Sequence, residues 1–162
     1  MIIEGTRIRI SEGEIRDAVT ALTRNGDVQL RELRLLEGGI YLDAAVRSPM
    51  VLNPRLQLEP MGVYRSHLRF RVSGQLGLGP LSIDMALGMM SSRFPPGVAY
   101  MGSSTVDVDL EVAGTGVLSA VDLAGITVSP GELLLDVNRV AVSSLAIVNW
   151  LANKDDIAGG LH

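Results

Sequence analysis

The sequence predicts a single α+β domain, residues 1–162, in which a twisted antiparallel β-sheet meander wraps on an N-terminal amphipathic helix. Three observations carry this prediction: a helix-capping signal near the start, alternating segments separated by turn residues, and an apolar segment near the end. With 162 residues and 47% hydrophobic content, one domain of ordinary size could bury roughly 70% of the surface that its unfolded chain exposes.

The helix is predicted from Ser11 onward, because Ser11 and Glu14 have the spacing of a capping box, in which each side chain bonds the other residue's amide. Apolar residues then recur at i, i+3, i+4 and i+7, and Asn25-Gly26 supplies a left-handed stop. The apolar positions are Ile15, Ala18, Val19 and Leu22. This pattern predicts a short helix that packs one face on the sheet.

Strand-like segments follow at short intervals, at residues 28–36, 39–47, 56–59, 63–74, 81–87, 105–113, 117–128 and 133–142. Glu37-Gly38-Gly39 is predicted to close one hairpin and Ser129-Pro130-Gly131 another. Turn signals this frequent favour antiparallel meanders over crossover units.

Two of these segments carry opposite charges on one face. Arg69 and Arg71 alternate with apolar residues, as do Asp107, Asp109 and Glu111. If the two strands pair, arginines meet carboxylates across the ladder, and Arg69 is expected to face Asp109. Exposed ion pairs of this kind contribute about 0 to 1 kcal/mol each, so they would set register more than stability.

Two apolar segments resist the strand interpretation. Residues 83–90 fit either a short helix or a mobile apolar loop. Residues 143–152 are apolar on nearly every side and predict a C-terminal helix, capped by Ser143 or Ser144, that covers the sheet. The last residues, 159–162, show no periodicity and are expected to fray.

Composition excludes several classes of function. The absence of cysteine removes disulfides, thiol catalysis and zinc-cysteine sites, and the net charge of −4 argues against a nucleic-acid partner. Charged residues interrupt the first ten positions and no apolar run approaches the roughly 20 residues that span a bilayer. The chain as it stands is expected to be soluble and cytoplasmic; an extracytoplasmic protein trimmed of its leader would look the same.

No segment marks an enzyme, and no cofactor or metal is expected. His67 and His162 are the two histidines, and on a charged strand face a solvated His67 is favoured over a catalytic or pH-sensing one. The glycine-rich segment 74–80 lacks the lysine and the following helix of a phosphate loop, so a plain connection is favoured. Asp43 and Asp136 occupy equivalent places in two similar hairpins, which favours a repeated structural role over a catalytic dyad.

A methionine-rich segment is the candidate ligand site. Four methionines cluster with two aromatic residues, and flexible, polarisable methionine is common on adaptable binding surfaces. The candidate residues are Met85, Met89, Met90, Phe94, Tyr100 and Met101. They fit either an ordinary core flap or a loop that gates or lines an apolar groove.

The order of these elements resembles the tubular lipid-binding (BPI-like) superfamily, whose small bacterial members share a helix-then-meander outline. The resemblance rests on ISEGEI at residues 10–15, LRLLEGGIYL at 33–42 and SPGELLL at 129–135. It implies a curved sheet wrapped on a helix, with an aliphatic groove able to hold acyl chains, and it transfers no site residue.

Two functions therefore follow from the sequence. The first is non-enzymatic binding of a lipid or another apolar small molecule, with peripheral contact to a membrane. The alternative is a structural or assembly module that forms a homo-oligomer through its C-terminal apolar segment.

Overall fold

The structure is a computed structural model that describes residues 1–23, 26–48, 50–77 and 81–159. The elements are β1 (Ile2–Ser11), α1 (Glu12–Leu22), β2 (Val28–Leu36), β3 (Gly39–Val46), β4 (Arg55–Tyr64), β5 (His67–Gln75), α2 (Ile83–Met90), a 3₁₀ turn (Ser91–Arg93), β6 (Val98–Gly102), β7 (Thr105–Asp109), α3 (Leu110–Ala113), β8 (Leu118–Ser129), β9 (Glu132–Val142) and α4 (Ser144–Gly159).

The predicted fold class is wrong. Strands are the main secondary structure of the described residues, and they form two antiparallel sheets in place of one meander wrapped on a helix. The larger sheet has the order β2-β3-β4-β5-β7-β6, and the smaller has β1-β9-β8. The first element is a strand, because the alternating segment at the start of the chain pairs with β9, where Ile2 faces Ala141.

The two sheets stack on a shared apolar core. The larger sheet contributes Leu33, Leu35, Ile40, Leu68 and Phe70, and the smaller contributes Val121, Leu123, Val128, Leu133, Leu135, Val137 and Val140. All of these side chains are buried. Each sheet thus hides its apolar face against the other, which is the arrangement of a layered β-protein.

Helix α1 begins at the predicted capping box. Ser11 Oγ accepts a hydrogen bond from the Glu14 amide, and Glu14 Oε2 accepts one from the Ser11 amide, both at 3.2 Å. Glu12 Oε1 also accepts from the Leu35 amide at 2.7 Å. The helix is therefore fixed to β2, although it follows β1 and is not N-terminal, and its Asn25 stop lies outside the described residues.

A β-bulge in β2 keeps one face of the larger sheet apolar. Leu30 faces Ala44 and Leu33 faces Leu42, so the register shifts by one residue around Arg31. Without that shift, Leu30 and Leu33 would point to opposite faces of the sheet. The bulge places both leucine side chains on the inner face of the larger sheet. This apolar face therefore extends past the core that the two sheets share.

The remaining elements confirm some predictions and correct others. The hairpin turns at Gly38 and Gly131 are confirmed, and both glycines have positive φ. The segment 81–87, included among the strands, contains instead the start of helix α2, and β6 was not predicted. The predicted strand 105–113 stops at Asp109, whose side chain accepts from the Glu111 amide at 3.0 Å and caps α3.

The predicted C-terminal helix is present, and apolar residues on one of its sides are exposed. Ser143 Oγ accepts from the Ala146 amide at 3.4 Å, at the predicted cap, and the helix continues to Gly159. Leu145, Val148 and Leu151 on this helix are exposed. Within the described part of the chain, no helix combines the length and the apolar character needed to span a bilayer.

Candidate ligand-binding cavity

An apolar cavity of about 210 Å³ lies where the inner face of the larger sheet extends beyond the core. Strands β2 to β5 and their connections line one side of it. Helix α2 and the turn that follows line the other, through Ile83, Ala86, Leu87, Met90 and Phe94. Thr23 is the one polar residue in the lining, and its hydroxyl donates to the Val19 carbonyl at 3.0 Å. The lining therefore offers a ligand almost no hydrogen bonds.

The sequence creates this space with small residues and the bulge. Leu30 reaches the cavity because the bulge at Arg31 turns it inward. Ala44 on β3 and Ala86 on α2 both line the cavity, where larger side chains would fill it. Ala86 is itself buried, together with Val46, Leu52 and Leu76, in a second core cluster beside the cavity. This end of the sheet is thus apolar but incompletely packed.

Hydrogen bonds fix the start of α2. Ser82 Oγ caps the helix by accepting from the Met85 amide at 3.1 Å. Asp84 accepts from the Tyr100 hydroxyl at 2.5 Å and from the Ser104 amide at 2.6 Å. The hydrogen bond from Tyr100, followed by that from the Ser104 amide, lowers the pKa of Asp84, and the same Tyr100 contact raises the pKa of the phenol. These bonds tie α2 to the β6–β7 turn.

The 3₁₀ turn that follows α2 carries a charged group at the cavity opening. A neighbouring space shares Val19, Thr23, Val28, Met90 and Phe94 with the cavity lining and adds Asp27, Ser48, Arg93 and Pro95. Arg93 Nη1 donates to Ser48 Oγ at 2.9 Å and lies 3.8 Å from Asp27 Oδ2. The apolar cavity thus opens next to an arginine that is half exposed.

The methionine-rich segment contributes only part of this lining. Met90 and Phe94 line the cavity. Met85, Met89 and Met101 are exposed, at 58%, 47% and 52%, and are not among the lining residues. The phenol of Tyr100 binds Asp84. Most of the lining comes from β2 to β5 together with their connections, and these residues are largely aliphatic, with the sequence signature of ordinary core.

A polar cluster lies elsewhere, at the start of β5. His67 Nδ1 is 2.6 Å from Asp107 Oδ2, and His67 Nε2 is 3.6 Å from Asp109 Oδ2. The Ser66 hydroxyl donates to Asp109 Oδ1 at 2.8 Å, so it is engaged by a carboxylate and does not form a nucleophile–base pair with the imidazole. Burial raises the pKa of Asp109, but hydrogen bonds from Ser66 and the Glu111 amide, with the nearby His67, lower it overall.

The other candidate acidic residues do not meet. Asp43 lies 3.8 Å from both Arg31 and Arg55, whereas Asp136 pairs with Arg7 at 2.7 Å in the smaller sheet. Their equivalent hairpin positions therefore serve separate ion pairs. His162 and Pro80 lie outside the described residues, within which no three His, Cys, Asp or Glu side chains are grouped to hold a metal ion.

Comparison with protein-family models, with curated proteins and with solved structures finds no match to this chain.

Proposed function

We propose that this protein binds a small apolar ligand, or the apolar part of a lipid, in the cavity beside α2. The single observation that supports this is an almost wholly apolar space of about 210 Å³ next to an opening. Apolar cavities of about 150 Å³ are large enough for benzene and stay dry when empty. A ligand that fills such a space gains the contacts that its lining lacks.

The size of the cavity restricts the ligand. Pockets for drug-sized molecules usually measure about 300 to 1,000 Å³, whereas this one measures about 210 Å³. It suits one short acyl chain or a small ring system better than two long chains.

Filling the cavity tests the proposal. Ala86→Leu adds bulk at a buried lining position, whereas Ala21→Leu makes the same change at an exposed position on α1. A fluorescent short-chain fatty-acid probe should bind the wild type and Ala21→Leu alike at micromolar concentration. It should bind Ala86→Leu about tenfold or more weakly, because the added side chain occupies the site.

Thermal unfolding of both variants shows whether each retains its fold, and Ala44→Leu fills the same space from β3 if Ala86→Leu does not fold. Equal probe binding by the wild type and a folded cavity-filling variant would contradict the proposal. So would the absence of any binding by the wild type.

Assembly is a second candidate function, and the exposed side of α4 favours it. Leu145 is 70% exposed, Val148 59% and Leu151 48%, and their spacing places them along one side of a helix. A second copy of the chain could bury this side. Sedimentation of the wild type should then show a multimer that Val148→Glu dissociates and Asn149→Glu, one position further along, does not. A wild-type monomer at all concentrations would exclude assembly through α4.

A further inference from the structure

Arg93 has an unused hydrogen-bonding edge at the opening of the cavity. Its Nη1 atom donates to Ser48 and lies 3.8 Å from Asp27. Within the described ranges of the chain, its Nε and Nη2 atoms have no partner. These two atoms form the side of the guanidinium that binds both oxygens of one carboxylate.

The existing contacts of Arg93 would not prevent such binding. Asp27 Oδ2 lies 3.8 Å from Arg93 Nη1, which is too far for a hydrogen bond, and both side chains are 48% exposed. Pairs of this kind are worth little, because water screens them and both side chains lose freedom in forming them. The hydrogen bond to Ser48 uses Nη1 and leaves the other edge of the guanidinium available.

We propose that the ligand is a short single-chain amphiphile whose tail fills the cavity and whose carboxylate binds the Nε and Nη2 atoms of Arg93. This inference rests on the proposed function, since it assigns the head group of the ligand bound there. Arg93, Met90 and Phe94 line the same space at the opening, so a chain seated between Met90 and Phe94 ends near the guanidinium.

The charge at the opening favours a carboxylate over a phosphate monoester. One arginine balances a single negative charge, whereas a phosphate monoester carries about −1.5 to −2 at pH 7. Asp27, close to the same guanidinium, adds repulsion that rises with the charge of the head group. A neutral hydroxyl could accept one hydrogen bond from the free edge of Arg93, but it would not balance the charge or occupy both donors.

The test compares three ligands that share a ten-carbon chain: decanoate, decanol and decyl phosphate. Each competes with the fluorescent probe on the wild type, Arg93→Met and Arg71→Met. Arg71 is an exposed arginine on β5 that faces Thr105, so its replacement removes the same charge away from the cavity. Circular dichroism of each variant confirms that the fold is retained.

We expect decanoate to bind the wild type most tightly and to lose about tenfold or more in affinity in Arg93→Met, the usual loss for a charge-assisted hydrogen bond. Decanol should lose much less affinity than decanoate in Arg93→Met, because it can accept only one uncharged hydrogen bond there. Arg71→Met should behave as the wild type. Arg93→Lys should recover only part of the decanoate affinity, because lysine keeps the charge but cannot form the bidentate hydrogen bonds of a guanidinium to a carboxylate.

The outcomes separate the two proposals. Equal binding of decanoate and decanol, unchanged in Arg93→Met, overturns the carboxylate assignment and leaves the cavity as an apolar site. Tighter binding of decyl phosphate that depends on Arg93 replaces the carboxylate by a phosphate and overturns the assignment as stated. If none of the three ligands displaces the fluorescent probe from the wild type, the proposed function is overturned as well.

Discussion

Arg69 and Asp107 face each other across β5 and β7, with Arg69 Nε 3.3 Å from Asp107 Oδ1. The other oxygen of this carboxylate lies 2.6 Å from His67 Nδ1. Asp107 is 6% exposed, so its charge is largely removed from water and depends on these two neighbours. The pair links the central strand β5 to β7 next to the sheet edge.

A double-mutant cycle should detect this pair. Arg69→Met and Asp107→Asn each remove one charge, and we expect a coupling free energy of about 0.5 to 1 kcal/mol in urea unfolding. The cycle of Arg69→Met with Asp109→Asn should give a smaller coupling, because Asp109 faces His67 in the ladder. A larger coupling to Asp109 than to Asp107 would contradict the observed register.

The sequence predicted the pairing of these strands but assigned the wrong partner to Arg69. Charge alternation identifies which faces meet, but it leaves the register open by two residues. The register depends on the β6–β7 turn and on the end of β7, where Ser103 and Ser104 adopt positive φ and Asp109 caps α3. Neither feature has a distinctive sequence signal.

The capping box gives a second prediction. Ser11→Ala should lower the free energy of unfolding by about 1 kcal/mol, because the Glu14 amide loses its acceptor. Thr20→Ala is the control: its hydroxyl donates within the helix to the Arg16 carbonyl at 2.8 Å and caps nothing. Urea midpoints that fall equally in both variants would show that the cap itself adds no stability.

The hydrogen bond between Asp84 and Tyr100 predicts a pH dependence. The pKa of Asp84 is lowered below 3.8 in the folded chain, so its stabilising contribution is present above that value and is lost as pH falls through the folded pKa. The pKa of Tyr100 is raised above 10.0, so its contribution is present below that value and is lost as pH rises through the folded pKa.

The urea midpoint of Tyr100→Phe should therefore lie below that of the wild type between about pH 5 and 9. The difference should shrink in acid below pH 3.8 and in alkali above pH 10.0. Tyr64→Phe is the matched control, because Tyr64 is 65% exposed. A difference between wild type and Tyr100→Phe that stays constant from acid to alkaline pH would disprove the role assigned to this bond.

Neighbouring leucines test the core between the sheets. Leu35 is 2% exposed and Leu36 is 39% exposed, so the same substitution probes the two faces of β2. Leu35→Ala should cost about 2 to 5 kcal/mol of unfolding free energy, the range for a buried leucine that leaves a cavity. Leu36→Ala should cost clearly less. Equal losses in chemical denaturation would contradict the assigned faces.

Local features were predictable, whereas distant pairings were not. The start of α1, the turn at Gly38 and the cap at Ser143 each depend on a few adjacent residues, and all three are observed. The pairing of β1 with β9 joins opposite ends of the chain, and no periodicity within either segment specifies its partner. Two sheets therefore formed where local patterns indicated one.

The cavity was only partly predictable for a related reason. Met90 and Phe94 could be proposed from composition, but Leu30 and Ala44 line the cavity through the bulge at Arg31 and the register of β3. An aliphatic residue in a strand has the same sequence signal whether it meets another side chain or an empty space. The difference depends on the volume left after α2 packs.

Two adjacent methionines provide the sharpest test of the cavity. Met90 lines it, whereas Met89 is 47% exposed and does not. Met90→Ser should weaken binding of the fluorescent fatty-acid probe about threefold or more, because it replaces apolar lining with a hydroxyl that lacks a partner when the ligand is bound. Met89→Ser should bind the probe as the wild type does.

Both thermal midpoints should be compared, since a fall confined to Met90→Ser without a change in probe affinity would make Met90 ordinary core. Equal weakening by both substitutions would place the ligand on the exposed side of α2 and would contradict the cavity as the binding site.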